Sequence, residues 1–273
     1  RHGPTVGLAQ CTPDNMLSLL ALTAALASRS AVTPSYLRLR GGDVDTVTNG
    51  MALLQVASGT FAFMAPERNI EMYGYDKEPT KVEVAMMRYL AVGQVVLGAT
   101  SVAGLEGGSK AAQAMSLSGG AASLLACAPV FEALGGPKEP LAAWIAALAV
   151  LGKATRAGKV KSVVPGTVLG GIAAAQALVA PDKTWEAYKN KLPATEMALA
   201  LFSLAGGNLL ANTAYVAVAD KQGHKKGLCA GLALLAANCV KFAVLDATRV
   251  GFKPAGAFVW GAITAAGALA LKA

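Results

Sequence analysis

The chain has 273 residues, of which 54% are hydrophobic and only 15% are charged, and its formal net charge is +8. Soluble domains carry about 25% charged residues, whereas apolar runs of about 17–25 residues, which recur here, are long enough to cross a bilayer. The composition therefore excludes an ordinary soluble domain. We also do not expect so apolar a chain to bind nucleic acid.

Residues 1–45 are predicted to form an N-terminal extension. Its apolar run at 16–27 is too short to cross a bilayer, which favours a short helix lying on the surface. The chain begins with Arg1, so we expect that a presequence has been removed. The basic segment YLRLRGG at 36–42 resembles segments near the processing sites of nucleus-encoded plastid proteins in algae with complex plastids. That resemblance implies a plastid thylakoid membrane rather than the mitochondrial inner membrane.

Eight apolar spans are predicted after this extension, so the fold class is all-α and the chain is a polytopic membrane protein. Short polar connections separate most of the spans, and such connections make neighbouring helices antiparallel. The first four spans are predicted at 46–65, 83–105, 111–134 and 140–152, and the second four at 162–180, 195–219, 227–247 and 255–271.

A repeated motif indicates an internal duplication. Residues 66–73 (PERNIEMY) and 181–188 (PDKTWEAY) share Pro, an acid, a base, Glu and Tyr in the same order, at a spacing of 115 residues (181 minus 66). Each copy follows one apolar span and precedes another. The sequence therefore predicts two four-helix domains, 46–153 and 162–273. Because each has an even number of crossings, the two repeats are expected to run in parallel rather than inverted.

The loop after the first helix of the unit carries a family resemblance. A four-helix unit whose first loop contains Pro66, Tyr73 and Gly74 resembles DoxX-like small membrane proteins. The second copy departs from this pattern, because Lys189 occupies the position that corresponds to Gly74. The resemblance implies a tandem duplication of that architecture. Because some members of the family are quinone-linked oxidoreductase subunits, it also implies a quinone-linked redox protein as one alternative function.

Amide side chains within the spans are the candidate binding residues, because polar groups in lipid need partners. Two interpretations remain open: the amides join helices by hydrogen bonds, or their oxygens are axial ligands to the magnesium of chlorophyll. Lys241 and Asp246, nearer the span ends, are interpreted separately as a snorkelling base and a boundary acid. The predicted cofactors are chlorophyll, carotenoid and lipid. The candidate ligands are Gln94, Gln113, Asn208, Asn212 and Asn238.

The sequence contains no nucleotide-binding loop, no His/Glu metal cluster and no Ser/His pair, so neither catalytic residues nor a metal site is predicted. The favoured function is a non-catalytic accessory subunit of a large organellar membrane complex, a photosystem first and a respiratory complex second. Its partners would be other membrane subunits and lipids. The alternative from a different class is a small-solute or ion transporter whose pathway is lined by Asn208, Asn212 and Gln94.

Overall fold

The computed structural model describes residues 44–188 and 191–272, and each regular element in that part of the chain is a helix. The predicted surface helix at 16–27 and the basic segment at 36–42 lie outside the described residues. A π-helix, Phe242–Ala247, directly follows α8. The α-helices are α1 (Val44–Met64), α2 (Pro66–Met72), α3 (Lys81–Ala133), α4 (Lys138–Arg156), α5 (Val164–Val179), α6 (Pro181–Ala187), α7 (Glu196–Gln222), α8 (His224–Lys241) and α9 (Pro254–Ala270).

Helix α3 folds back on itself at Gly108, whose φ of 71° and ψ of −167° are not helical. A β-carbon at Gly119 would lie 2.9 Å from Val96 Cγ1. In a straight helix these two positions would be about 35 Å apart. The N-terminal arm (81–107) and the C-terminal arm (109–133) are therefore antiparallel. They contain the two spans predicted at 83–105 and 111–134, with one glycine forming the reversal.

Several helices are long and apolar enough to cross a membrane, which confirms the predicted all-α, membrane-type fold. Three stretches meet this criterion, Lys81–Pro129, Glu196–Gln222 and His224–Ala247. The pair α5 and α6, bent by 112° between them, makes a fourth if it counts as one broken span. Helix α9 is apolar but shorter. The described residues thus hold three or four candidate spans by length and composition.

Helices α3 and α7 contact each other at the centre of the packing. Helices α1 and α4 pack against α3, whereas α5 and α8 pack against α7. Helix α9 packs against α8. The order of elements in these two groups is the same: a helix, a short helix, a long hairpin and a last helix.

Backbone geometry also recurs at a spacing of 115 residues. Ala65 precedes α2 with φ −128° and ψ 60°, and Ala180 precedes α6 with φ −138° and ψ 63°. Both short helices begin with proline, which suits the first position because its missing amide hydrogen has no helical partner there. Gly223, which separates α7 from α8, has a φ of 86° and corresponds to Gly108.

Close helix crossings recur at the same spacing. A β-carbon at Gly152 on α4 would lie 3.3 Å from Leu117 Cβ, and one at Gly267 on α9 would lie 3.1 Å from Leu232 Cδ1. Each residue of the first pair lies 115 positions before its counterpart in the second. Small residues are what allow helices to approach closely in lipid, where no hydrophobic drive brings them together.

The two long hairpins lie side by side and point the same way. At their tips, Ser109 Oγ donates a 2.8 Å hydrogen bond to Asp220 Oδ1. At the opposite end, Thr195 Oγ1 donates to Glu83 Oε1, also at 2.8 Å, and so joins the start of α7 to the start of α3. The N-terminal arm of α3 and helix α7 therefore run in the same direction.

Candidate functional site

A cavity with a volume of about 230 Å³ lies between α3, α4, α5, α6 and α7. Its wall is mainly apolar, but its two ends differ in chemistry. The helices that enclose it come from both sides of the α3–α7 contact, so the cavity lies between the two predicted domains. Such concave, mostly apolar spaces with a few convergent polar groups are the usual form of small-molecule sites.

One end of the cavity is aromatic. Tyr89 lies at the centre of this end, with ring centroids 5.8 Å from Phe131 and 6.2 Å from Phe202. Helix α6 adds Trp185, and Tyr188 directly follows that helix. The indole Nε1 of Trp185 donates to the carbonyl of Leu192 at 3.2 Å, which fixes the ring at the wall. Aromatic rings at offset or edge contact give a rigid apolar surface.

The other end carries amides and hydroxyls. Asn212 Nδ2 donates to Ser116 Oγ at 2.7 Å and thereby joins α7 to the C-terminal arm of α3. Gln113 lies beside Gly166 of α5, where the missing side chain leaves room for the carboxamide. Both amide side chains are deeply buried, at 4% exposure. Gln113 Oε1 and Asn212 Oδ1 have no hydrogen-bond partner in the described structure. Burying such an acceptor unpaired costs about 1–3 kcal/mol.

The cavity is long and narrow. Phe202 lines it near the start of α7 and Val216 lines it near the end of that helix. Fourteen residues of helix separate them (216 minus 202), which corresponds to about 20 Å. A volume of about 230 Å³ spread over that length leaves a slot. The shape therefore suits one extended chain better than a broad ring system.

A second, smaller cavity of about 70 Å³ lies across the α3–α7 contact, between α1, α2, the N-terminal arm of α3, α7, α8 and α9. Most of the residues that line it stand 115 positions from a residue that lines the larger cavity. Examples of such pairs are Gln55 and Gly170, Asn69 and Thr184, Tyr73 and Tyr188, Gln94 and Leu209, Asn208 and Gly93, and Cys239 and Leu124. The 115-residue spacing therefore relates the walls of the two cavities to each other.

The five candidate amides are divided between these places. Gln113 and Asn212 line the larger cavity, and Gln94 lines the smaller one. Asn208 lines both, since it lies at the contact between them. Asn238 donates to Asn208 Oδ1 at 3.1 Å and to the carbonyl of Leu204 at 2.9 Å. The helix-joining role is therefore visible for Asn208, Asn212 and Asn238, while the side-chain oxygens of Gln113, Asn212 and Asn238 have no partner among the described residues.

An ionic cluster near the start of α7 was not predicted as a unit. Lys241 Nζ lies 2.7 Å from Asp246 Oδ2 and 2.9 Å from Ser203 Oγ. Arg249 approaches the same carboxylate at 3.1 Å and Glu196 at 3.5 Å. Residues five apart do not face each other on an α-helix, but the π-helix at Phe242–Ala247 turns Asp246 back toward Lys241. The separate interpretation of these two residues missed a pair that only the π-turn creates.

Comparison of the chain with known protein families, curated proteins and solved structures finds no match. The resemblance to DoxX-like proteins therefore stays a prediction. Among the residues that the structure describes, no group of three or more His, Cys, Asp or Glu side chains is arranged to hold a metal ion.

Proposed function

We propose that this chain is a membrane-embedded accessory protein, built from two parallel four-helix repeats, that holds a small apolar molecule between them. The observation that carries the proposal is the larger cavity, a slot of about 230 Å³ with an aromatic end and an amide end. The amides are buried and two of their oxygens have no partner in the described structure. A bound apolar molecule would fill the slot and bury its apolar wall, which is favourable in proportion to the apolar area covered.

The eight-span, two-repeat architecture is part of the proposal. It is supported by the 115-residue spacing between equivalent caps, crossings and cavity walls. The hydrogen bond between Ser109 and Asp220 at the hairpin tips favours parallel over inverted repeats. For the shorter helix α5, a row of exposed apolar side chains on one face, Val164, Val168 and Ile172, suits contact with lipid tails.

Holding a ligand fits the geometry better than transport does. In two parallel repeats, equivalent positions lie at the same depth in the membrane. The two cavities occupy equivalent positions, so together they would lie beside each other rather than form a route from one face to the other. Gln94 and Asn212 would then belong to separate sites instead of one pathway.

The volume of the slot also limits the size of the ligand that it can hold. Sites for drug-sized ligands measure roughly 300–1,000 Å³, which is more than this cavity of about 230 Å³ offers. A single isoprenoid or acyl chain therefore suits it better than a chlorophyll ring. The photosystem assignment stays a prediction, because the segment at 36–42 that prompted it lies outside the described residues.

The test of this proposal is to fill the larger cavity with a side chain of the protein itself. Gly93 lines the larger cavity, and a β-carbon there would meet no atom within 4 Å, so Gly93→Leu is expected to occupy the space without disturbing the helices. Gly171 has equally open surroundings but does not line the cavity, which makes Gly171→Leu the matched control. We expect gently purified wild-type protein and Gly171→Leu to carry a stoichiometric apolar molecule by mass spectrometry, and Gly93→Leu to lack it.

Two outcomes would count against the proposal. Purified protein without any bound apolar molecule would contradict the ligand-holding role, as would retention of the molecule by Gly93→Leu. The accessory role is tested on the same material, because native electrophoresis of a gentle extract should give a band much larger than the 27.5 kDa chain. Migration of the native protein alone would remove that part of the proposal.

A further inference from the structure

We infer that the larger cavity opens sideways to the bilayer between α4 and α5 and holds one acyl chain of an anionic phospholipid, whose headgroup is bound by the basic segment that joins these two helices. This inference rests on the proposed function and names the chemical class of the ligand. The segment, called the basic linker below, consists of the last turn of α4 and the connection to α5, residues 153–163.

The opening lies at the seam between α4 and α5. Around the cavity, α4 packs against α3, α3 against α7, and α7 against α5. Helices α4 and α5 also form part of the wall, but these two described helices do not pack along each other. The cavity is not fully enclosed. The bilayer therefore has access to it through the seam between α4 and α5.

The corresponding seam, 115 residues away, is closed. It lies between α9, whose positions correspond to those of α4, and α1, which corresponds to α5. Helices α9 and α1 are in contact, and a β-carbon at Gly267 on α9 would lie 3.5 Å from Met51 Sδ on α1. The smaller cavity, of about 70 Å³, lies behind this closed seam. An open seam is thus particular to α4 and α5 and accompanies the larger of the two cavities.

The basic linker at this seam carries four positive charges and no negative one. The sequence has no acidic residue between Glu139 and Asp182. The four basic side chains are exposed and take no part in the ion pairs of the described residues, which lie at the opposite end of the helices. Basic residues at a bilayer surface attract anionic headgroups, with about 1 kcal/mol for each. The four are Lys153, Arg156, Lys159 and Lys161.

The end of the linker is fixed beside the cavity. Val163 is 3% exposed and belongs to the same core cluster as Val216 of α7, which lines the cavity. Gly166, three residues further along, lines the cavity as well. Helix α5 then presents exposed apolar side chains, among them Val164 and Val168, to its surroundings. A phospholipid matches all three features, because its headgroup meets the cations, one acyl chain enters the slot and the other stays in the bilayer.

The test compares two lipids with the same palmitoyl and oleoyl chains: phosphatidylglycerol, which is anionic, and phosphatidylcholine, which has no net charge. Binding of each to the full-length protein in detergent is measured by native mass spectrometry. We expect phosphatidylglycerol to bind about tenfold more tightly, which corresponds to about 1.4 kcal/mol. Gly93→Leu, which fills the slot, should weaken both lipids at least tenfold. Free glycerol 3-phosphate in large excess should displace neither, because it has no acyl chain.

Two sets of substitutions locate the headgroup. Replacing all four basic residues of the linker by Gln should reduce the preference for phosphatidylglycerol to about twofold or less. Lys159→Gln with Lys161→Gln alone should reduce it to about threefold, so the result does not depend on one heavily altered protein. The control removes the same number of exposed charges from the same face, beside the closed seam, and should keep the tenfold preference. It combines the changes to Gln of Lys221, Lys225, Lys226 and Lys272.

The outcomes separate this inference from the proposed function. Equal binding of the two lipids, with both weakened by Gly93→Leu, overturns the inference and leaves the ligand-holding role intact. The same is true if the control lowers the preference as much as the linker variants do. A preference that survives in the linker variants, or binding that survives Gly93→Leu, also overturns the inference. Binding of neither lipid, together with no co-purifying apolar molecule, overturns both.

Discussion

Thr195 and Glu83 are 112 residues apart, yet the Thr195 hydroxyl donates a 2.8 Å hydrogen bond to the Glu83 carboxylate. Each residue also caps its own helix: Glu83 Oε2 accepts from the backbone amide of Thr80, and Thr195 Oγ1 accepts from that of Ala198. Glu83 is buried, at 3% exposure. One hydrogen bond thus connects the beginnings of the two central helices.

The double role of this threonine leads to the first prediction. Thr195→Val removes both the cap of α7 and the bond to Glu83, and should lower the free energy of unfolding by about 1–3 kcal/mol. Thr80→Val removes only the corresponding cap on α3 and should cost less, about 0.5–1.5 kcal/mol. Melting temperatures of both variants in one detergent measure the difference. A larger loss for Thr80→Val would contradict the role given to Thr195.

A second prediction concerns Gly104, which lies directly beneath the hydroxyl of Tyr215. Tyr215 is 1% exposed, and its hydroxyl is 2.9 Å from His224 Nδ1. Gly104→Ala would drive a methyl group into that oxygen, and the overpacking should cost about 1–3 kcal/mol. Melting temperature again measures the effect.

A rescue and a control accompany that substitution. Adding Tyr215→Phe to Gly104→Ala removes the oxygen that clashes, so the double variant should be more stable than the sum of the single changes predicts. Gly50→Ala on α1 meets no atom within 4 Å and should be neutral or slightly stabilising. Strict additivity of the two changes would mean that the contact does not determine the effect.

The third prediction compares a half-buried ion pair with an exposed one. Asp246→Asn leaves Lys241 and Arg249 without their shared carboxylate, whose side chain is 10% exposed, and should cost up to about 3 kcal/mol. Glu132→Gln breaks the pair with Lys138, where both side chains are more than half exposed, and should cost less than about 1 kcal/mol. The hydrogen bond to Glu132 raises the pKa of Lys138, but at so exposed a site we expect little effect on stability. Equal losses in the two variants would argue against a structural role for the π-turn.

Much of this fold could be predicted from the sequence, because helix length and apolar content are local properties. Each predicted span overlaps a described helix over most of its length, for example 195–219 with α7 and 255–271 with α9. The recurring PERNIEMY and PDKTWEAY segments gave the 115-residue spacing, but they were interpreted as loops, whereas most of each segment forms a short helix, α2 or α6. The connection between the spans predicted at 83–105 and 111–134 is a reversal at one residue, Gly108, because a glycine can adopt the positive φ that this turn requires.

The candidate site was predictable only in part. Polar residues in apolar spans directed attention to Gln113 and Asn212, but spacing along the chain could not tell which amides meet each other and which border an empty space. That distinction depends on how α5 packs, where Gly166 leaves room for the Gln113 carboxamide. The aromatic end was missed because Tyr89, Phe131 and Phe202 come from three separate stretches of the sequence.

Cysteine labelling tests most directly whether two parallel repeats cross a membrane in the same direction. Four exposed lysines at the helix ends are replaced one at a time by cysteine in a background without the native cysteines: Lys77, Lys110, Lys191 and Lys221. An impermeant maleimide is then applied to sealed, oriented vesicles.

We predict that Lys110→Cys and Lys221→Cys, at the two hairpin tips, react from one side of the vesicle, and that Lys77→Cys and Lys191→Cys react from the other. Reaction of the two tip positions from opposite sides would contradict parallel repeats. Reaction of all four positions from the same side would contradict a chain that crosses the membrane as proposed.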